Sequence, residues 1–447
     1  MKKLLGLFLL LVLLALGAAG IYATMEGTAD SPVAATTKAS SSAENITVEA
    51  VGDVPDGTME DVRQAVSLFS DDMSKNGAPL RHAVHVYVAA TQADYERAIV
   101  EQFDQSAEEA KKIANVSGGW TGGRHGLTAL NGAAGVMKTA SDRQSTTAHE
   151  LFHQLQYELS DGNDTGEASI FWLEEGTADY IGARIAEQAK GKTLHKWTLD
   201  TLDDLRQAES TVKPESLVHC TSDQRMQLMD KSYHSYQMAD AMTLCLMEQQ
   251  KGKEVASILQ YFRLLKKNKD GEQAFEQAFG MTHDAFLQHF HTWYASEQKR
   301  PIELAFSARK GVTDGLAPSM KAYAKTAAKR VQQAFGTLPR GRYDVVLCGS
   351  EQDFAAAIAE HCAVDRSEAA KLADGNLWIE NGSTIILNVS ELEDARQQEY
   401  AMGMLIARML RIQAAGRPEE HPDAKLDGQI ETFLDNYARS LSLRRIQ

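Results

Sequence analysis

Cysteine is scarce and never closely paired. The 447 residues hold four, Cys220, Cys245, Cys348 and Cys362, with no CxxC spacing, which excludes a thiolate-built metal site. Positive charge is also in deficit, with 46 Lys and Arg against 61 Asp and Glu and a formal net charge of -15. That balance excludes a nucleic-acid partner and fits a soluble acidic body.

The start of the chain is the one long apolar stretch. Lys2 and Lys3 precede an unbroken run from Leu4 to Leu16, and Gly17, Ala18, Ala19 and Gly20 follow. Charged, apolar and then small is the order of a secretory signal. The run to Ala23 also has the length of a membrane anchor, so residues 1-24 read as either, and no cysteine follows for a lipid anchor. Both readings put the remainder outside the cytoplasm, secreted or held at the outer face of the membrane. An exported chain with four cysteines allows two disulfides. Sequence order favours Cys220–Cys245 and Cys348–Cys362, and four buried thiols are the other reading.

Residues 25-48, rich in Ala, Ser and Thr, read as a flexible linker. From Met59 the spacing turns helical, and Ala83–Ala90 alternates as a strand does. A glycine-rich stretch, "SGGWTGGRHG", reads as a surface loop, with Trp120 lining a subsite or anchoring it. A short strand-like segment, Leu127–Asn131, comes next, and beyond Phe171 the pattern is mostly helical to about Ser296. Lys299–Pro301 marks a boundary. The expected fold class is α+β, with a domain over 49-300 and a second over 301-447.

The second half echoes the first. Asp94, Ala98 and Ile99 match Asp353, Ala357 and Ile358, all 259 residues apart. "LTALN" matches "TIILN", setting Asn131 opposite Asn388, and "RQSTTAHELFHQL" faces "RQQEYAMGMLIARML". On that alignment His149, Glu150 and His153 face Met402, Gly403 and Ile406, and Asn436 falls near the place of Glu175. Residues 301-447 then form a degenerate, metal-free copy, open to a protein partner.

The stretch "TTAHELFHQLQYEL" carries the chemistry. Residues four apart share one helix face, so His149 and His153 can present two imidazoles to one ion. Glu150 reaches the same cleft as a general base, completing the H-E-x-x-H arrangement. A third ligand with an open fourth position is required, and "FWLEEGTADY" offers Glu174 and Glu175. Glu175 has Asp179 one helical turn on, in position to hold a ligating histidine ring. Glu174 has only Ala178 there, so Glu175 is the expected ligand and Glu174 a solvated neighbour.

HELFH followed about twenty residues later by WLEEGTADY resembles the gluzincin metallopeptidases, the thermolysin-like and aminopeptidase-like zincins. The resemblance covers residues 80-295 and is carried by the two motifs. It implies a zincin-like catalytic domain with a small mixed sheet, an active-site helix and a mostly helical second lobe. It implies Zn2+ on His149, His153 and Glu175, with Asp179 supporting a ligand. It also implies a tyrosine or histidine from a later helix at the oxyanion, here Tyr236, with Tyr233 second. A peptide substrate would add as a strand to the edge formed by Leu127–Asn131. No aminopeptidase-type glycine–methionine–glutamate motif precedes the site, so the resemblance points to an endopeptidase. A non-catalytic binding or scaffold protein and a zinc hydrolase of cell-wall amides are the competing functions.

Overall fold

The computed structural model of the chain describes residues 45-122, 126-164, 169-208, 211-228, 234-362, 364-415 and 424-443. The expected leader, nearly all of the expected linker and Tyr233 lie outside these residues. From Ser41 on, the chain is one compact unit. Among the described residues, no helix is long and apolar enough to cross a membrane.

The first half opens with strand β1 (Ile46–Val51), so the fold starts inside the stretch read as linker. Its Ile46 is buried in the main core and Val48 packs against it, a burial that composition alone did not reveal. Helix α1 (Asp56–Lys75), β2 (Val84–Ala89), α2 (Gln92–Phe103) and α3 (Ala107–Val116) follow. Next come β3 (Gly119–Trp120), β4 (Leu127–Asn131), α4 (Ala140–Ser160) and α5 (Phe171–Gln188). The sheet runs β1-β2-β4-β3, with β1, β2 and β4 parallel and β3 antiparallel. The expectation that Leu127–Asn131 forms the edge is therefore overturned. The glycine-rich segment folds back on β4 as β3 and takes the edge itself. Trp120 packs against the cluster of Tyr87, Phe103 and Ile113 and anchors this turn.

A helical lobe follows: α6 (Leu194–Gln207), α7 (Ser222–Leu228), α8 (Ser235–Gln249), α9 (Glu254–Asn268), α10 (Gly271–Phe279) and α11 (His283–Lys299). Its aromatic side chains share one core with the sheet and with α4 and α5.

The second half repeats the β1–α5 unit of the first in the same element order. Strands β5 (Glu303–Ala308), β6 (Arg342–Cys348), β7 (Trp378–Asn381) and β8 (Thr384–Asn388) form a sheet of order β5-β6-β8-β7. Helices α12 (Leu316–Phe335), α13 (Glu351–Cys362), α14 (Arg366–Ala373), α15 (Ala395–Ala415) and α16 (Ala424–Ser440) take the places of α1 to α5. Asn131 and Asn388 play one part in both. Each ends its strand, and its side-chain oxygen accepts the backbone N–H two residues on.

The helix register differs from the sequence alignment by two residues. From that asparagine to the helix-capping residue, Thr139 or Asp394, the connection is two residues shorter in the second half. The burial pattern of α15 then reproduces that of α4 with Met404, Leu405 and Arg408 at the places of His149, Glu150 and His153. Met402, Gly403 and Ile406 are instead buried beneath the helix. The rings of Tyr400 and Tyr437 meet where Ser145 abuts Gly182. That pairing sets Ile430 and Leu434, both buried, at the places of Glu175 and Asp179. Asn436 is exposed on another face.

The two halves join through α6. Lys196 Nζ donates to the Asn381 carbonyl and to Asp200 Oδ1, and the Tyr343 hydroxyl donates to Asp203. All four cysteines are free, so the expected disulfides are not formed. Cys245 sits in the main core and Cys348 beside β8, and burial pushes both thiols up to about 12.

Candidate metal centre

Helix α4 begins with a reciprocal cap. The Thr139 hydroxyl accepts the Asp142 N–H, and the Asp142 carboxylate accepts the Thr139 N–H. This anchors the start of the helix and fixes where its later turns point. The motif begins about two and a half turns on, with Leu151, Phe152 and Leu155 in the core and the two histidines on the opposite side. Helix α5 runs antiparallel to it, since His149 faces Asp179 while His153 faces Glu175.

Three ligand atoms converge. His149 Nε2 and His153 Nε2 are 3.0 Å apart, and Glu175 Oε2 is 3.7 Å from the first and 3.6 Å from the second. Among the described residues this is the only group of three or more His, Cys, Asp or Glu side chains placed to hold a metal. Tetrahedral zinc with bonds near 2.1 Å holds its ligand atoms about 3.4 Å apart, and the triangle brackets that value. Two nitrogens and one carboxylate oxygen also match zinc's preferred donors.

The other ring nitrogens are engaged as ligating histidines require. His149 Nδ1 donates to Asp179 Oδ1 at 2.8 Å, as the spacing predicts. His153 Nδ1 donates to Gln156 Oε1 at 2.7 Å. The Gln156 amide in turn donates to the Glu174 carbonyl and the Thr177 hydroxyl. Gln156 lies three residues past His153 on the same helix, a spacing that signals contact, although the motif itself does not include it.

Glu174 is not solvated. It is buried, and its Oε2 accepts from Arg225 Nη1 at 2.7 Å. Arg225 also donates to Ser169 and lies over the Phe171 ring. Burial pushes the Glu174 carboxyl up to about 7 against the pull of Arg225. Glu175 goes the other way. Burial alone would raise it, but His153 and then His149 outweigh burial and hold it at about 2. Burial would likewise lower His153, yet Glu175, Glu150 and Glu174 lift it to about 10. The field of the triad therefore favours positive charge at its centre. A proton on the imidazole and a divalent cation satisfy the same field.

Glu150 is buried and acts on His153, and Tyr236, in the first turn of α8, lies within the field of Glu175, Asp179 and Glu150. Burial pushes the Tyr236 hydroxyl well above its ordinary range, and the charges of Glu175, Asp179 and Glu150 add to the effect. The tyrosine is thus kept protonated and able to donate. One turn on, Asp240 is buried beside Asp179. Burial, with Asp179 beside it, pushes Asp240 well above the carboxylate range. Asp240 lies four residues past Tyr236, a periodic signal, whereas nothing in sequence linked Arg225 to Glu174.

A family model described as a protein of unknown function (DUF1570) matches residues 143-269. The matched stretch covers α4 from Arg143 on, together with Glu175, Arg225 and Tyr236. No curated protein and no solved structure matches the chain.

Proposed function

We propose that the chain is a zinc-dependent endopeptidase of the zincin type, acting outside the cytoplasm on extended peptides. The supporting observation is the triangle of His149, His153 and Glu175, with Glu150 beside it and each imidazole oriented through its second nitrogen. When bound, the ion would supply an acidic water and a Lewis-acid pull on the scissile carbonyl. Glu150 would take up the proton lost by the attacking water and return it to the leaving amine. Tyr236 donates to the oxygen on which negative charge develops. Asp179 and Gln156 keep both rings in the ligating tautomer.

The substrate adds to β3 instead of β4. Asn131 N–H donates to the Gly118 carbonyl, and Gly119 and Trp120 lie opposite Leu130 and Ala129. In an antiparallel ladder alternate residues face the partner. Gly118 and Trp120 therefore turn toward β4, while the N–H and C=O of Gly119 point to the open edge. A peptide paired there runs past Glu150, against which Gly119 packs.

Metal analysis of purified protein, paired with casein cleavage by the parent and by Glu150→Gln, tests this reading. The expected result is one zinc per chain in both and turnover in the parent alone. Full turnover by Glu150→Gln with native zinc would overturn it.

A further inference from the structure

Resting on the peptidase reading, the geometry points to Thr121 as the positioning residue for Glu150, with Gly119 leaving the room that its carboxylate needs. The Thr121 hydroxyl donates to Glu150 Oε2 at 2.6 Å and lies 3.3 Å from the Glu150 backbone carbonyl. A hydroxyl has one proton to give, and the shorter contact, to the charged acceptor, takes it. Both residues are nearly buried, Thr121 at 9% and Glu150 at 6% exposure. The bond therefore acts where solvent competes little.

Glu150 leaves helix α4 on a flexible stem, which by itself would sample several rotamers. One carboxylate oxygen is tied to Thr121, so Oε1 is the oxygen left to take the water's proton. Gly119 meets the same carboxylate from above. A Cβ there would overlap Glu150 Oε1 and stand 2.5 Å from its Cγ. The edge strand and its next residue thus hold the base from two sides, one by a donated proton and one by the absence of a side chain. Because β3 also offers the open backbone edge, the segment that docks the peptide is the one that aims the base.

The test uses full-length, zinc-loaded protein and a fluorogenic peptide. Thr121→Val removes the donor and keeps the shape. It should keep one zinc per chain and hold KM within about 2-fold, while kcat falls about 10-fold or more, the scale of a misplaced general base. Thr121→Ser keeps the hydroxyl and should recover kcat to within about 3-fold of the parent. Gly119→Ala should also lower kcat with zinc retained. A parental kcat in Thr121→Val would overturn the proposal, as would a loss that appears in KM or zinc content alone. A thermal cycle reads the contact without catalysis. Thr121→Val should lower the melting temperature by about 3 °C in the parent and by under about 1 °C when Glu150 is already alanine. Equal shifts in both backgrounds would show that Thr121 does not hold Glu150. An inactive parent would end the peptidase reading, and the thermal cycle would still decide the contact.

Discussion

Gly176 abuts Ala239: a Cβ on the glycine would stand 2.5 Å from the Ala239 carbonyl oxygen and overlap the Thr243 hydroxyl. Here α5 packs directly against the backbone of α8. Gly176 lies one residue past the proposed metal ligand Glu175, and Ala239 comes three residues after Tyr236 and one before Asp240. The glycine after the glutamate pair thus lets α8 bring its polar face to the site.

Gly176→Ala should therefore push α8 away. Overpacking of this kind costs about 1–3 kcal/mol, and Tyr236 would move with the helix. Chemical denaturation should show that loss, and turnover should fall further than zinc content does. Unchanged stability would mean that the two helices adjust freely.

The two imidazoles are supported by different chemistry, a carboxylate on His149 and an amide on His153. Asp179→Ala and Gln156→Leu should each weaken zinc binding about 10- to 100-fold. A charged partner raises ring basicity more than a neutral one does, so Asp179→Ala should be the more damaging. Competition with a chromogenic chelator measures both. An unaffected Gln156→Leu would leave His153 without need of its partner.

Tyr236→Phe keeps the ring and removes the proton. Loss of an oxyanion donor costs about 100-fold in kcat, and zinc content and KM should stay close to parental. Steady-state kinetics on one peptide would check this. Parental turnover would assign the tyrosine to packing alone.

Acid should loosen the anchor of α5. Trp172 Nε1 donates to His283 Nε2 at 3.0 Å, and His283 Nδ1 lies 3.2 Å from Glu272. A nitrogen that accepts carries no proton, and burial lowers His283 from 6.5 to about 4. Between those values the unfolded chain binds a proton that the folded chain refuses, so stability is lost as pH falls from 6.5 through 4. The drop is worth about 3 kcal/mol. Denaturation at pH 7 and pH 4.5 should show a smaller difference in His283→Gln than in the parent. Equal differences would remove His283 from the acid response.

Much of the centre was legible because helix geometry is local. Four residues span about one turn, so His149 and His153, and separately Glu175 and Asp179, had to share faces. The strands at Ala83–Ala90 and Leu127–Asn131 were equally plain from alternation and β-branching. The repeat was visible too, as its strands and early helices keep one spacing.

Other features depended on contacts that no local pattern encodes. The sheet edge went to β3, because a two-residue strand in a glycine-rich stretch has no period to read and is defined only by its pairing with β4. Glu174 and Glu175 look alike in sequence. Packing put Arg225 beside one and two imidazoles beside the other; burial raises both carboxyls, and the imidazoles outweigh it only at Glu175, which drives their pKa values apart. In the second half, a shared Arg-Gln pair sets the sequences two residues out of the structural register, and the burial pattern puts Arg408, Ile430 and Leu434 at the places of His153, Glu175 and Asp179. The sequence by itself determined which side chains could share a helix face, since that follows from covalent geometry and a fixed helical period. Only the tertiary structure decided which faces meet and which charges are stripped of water, since those depend on how distant segments pack.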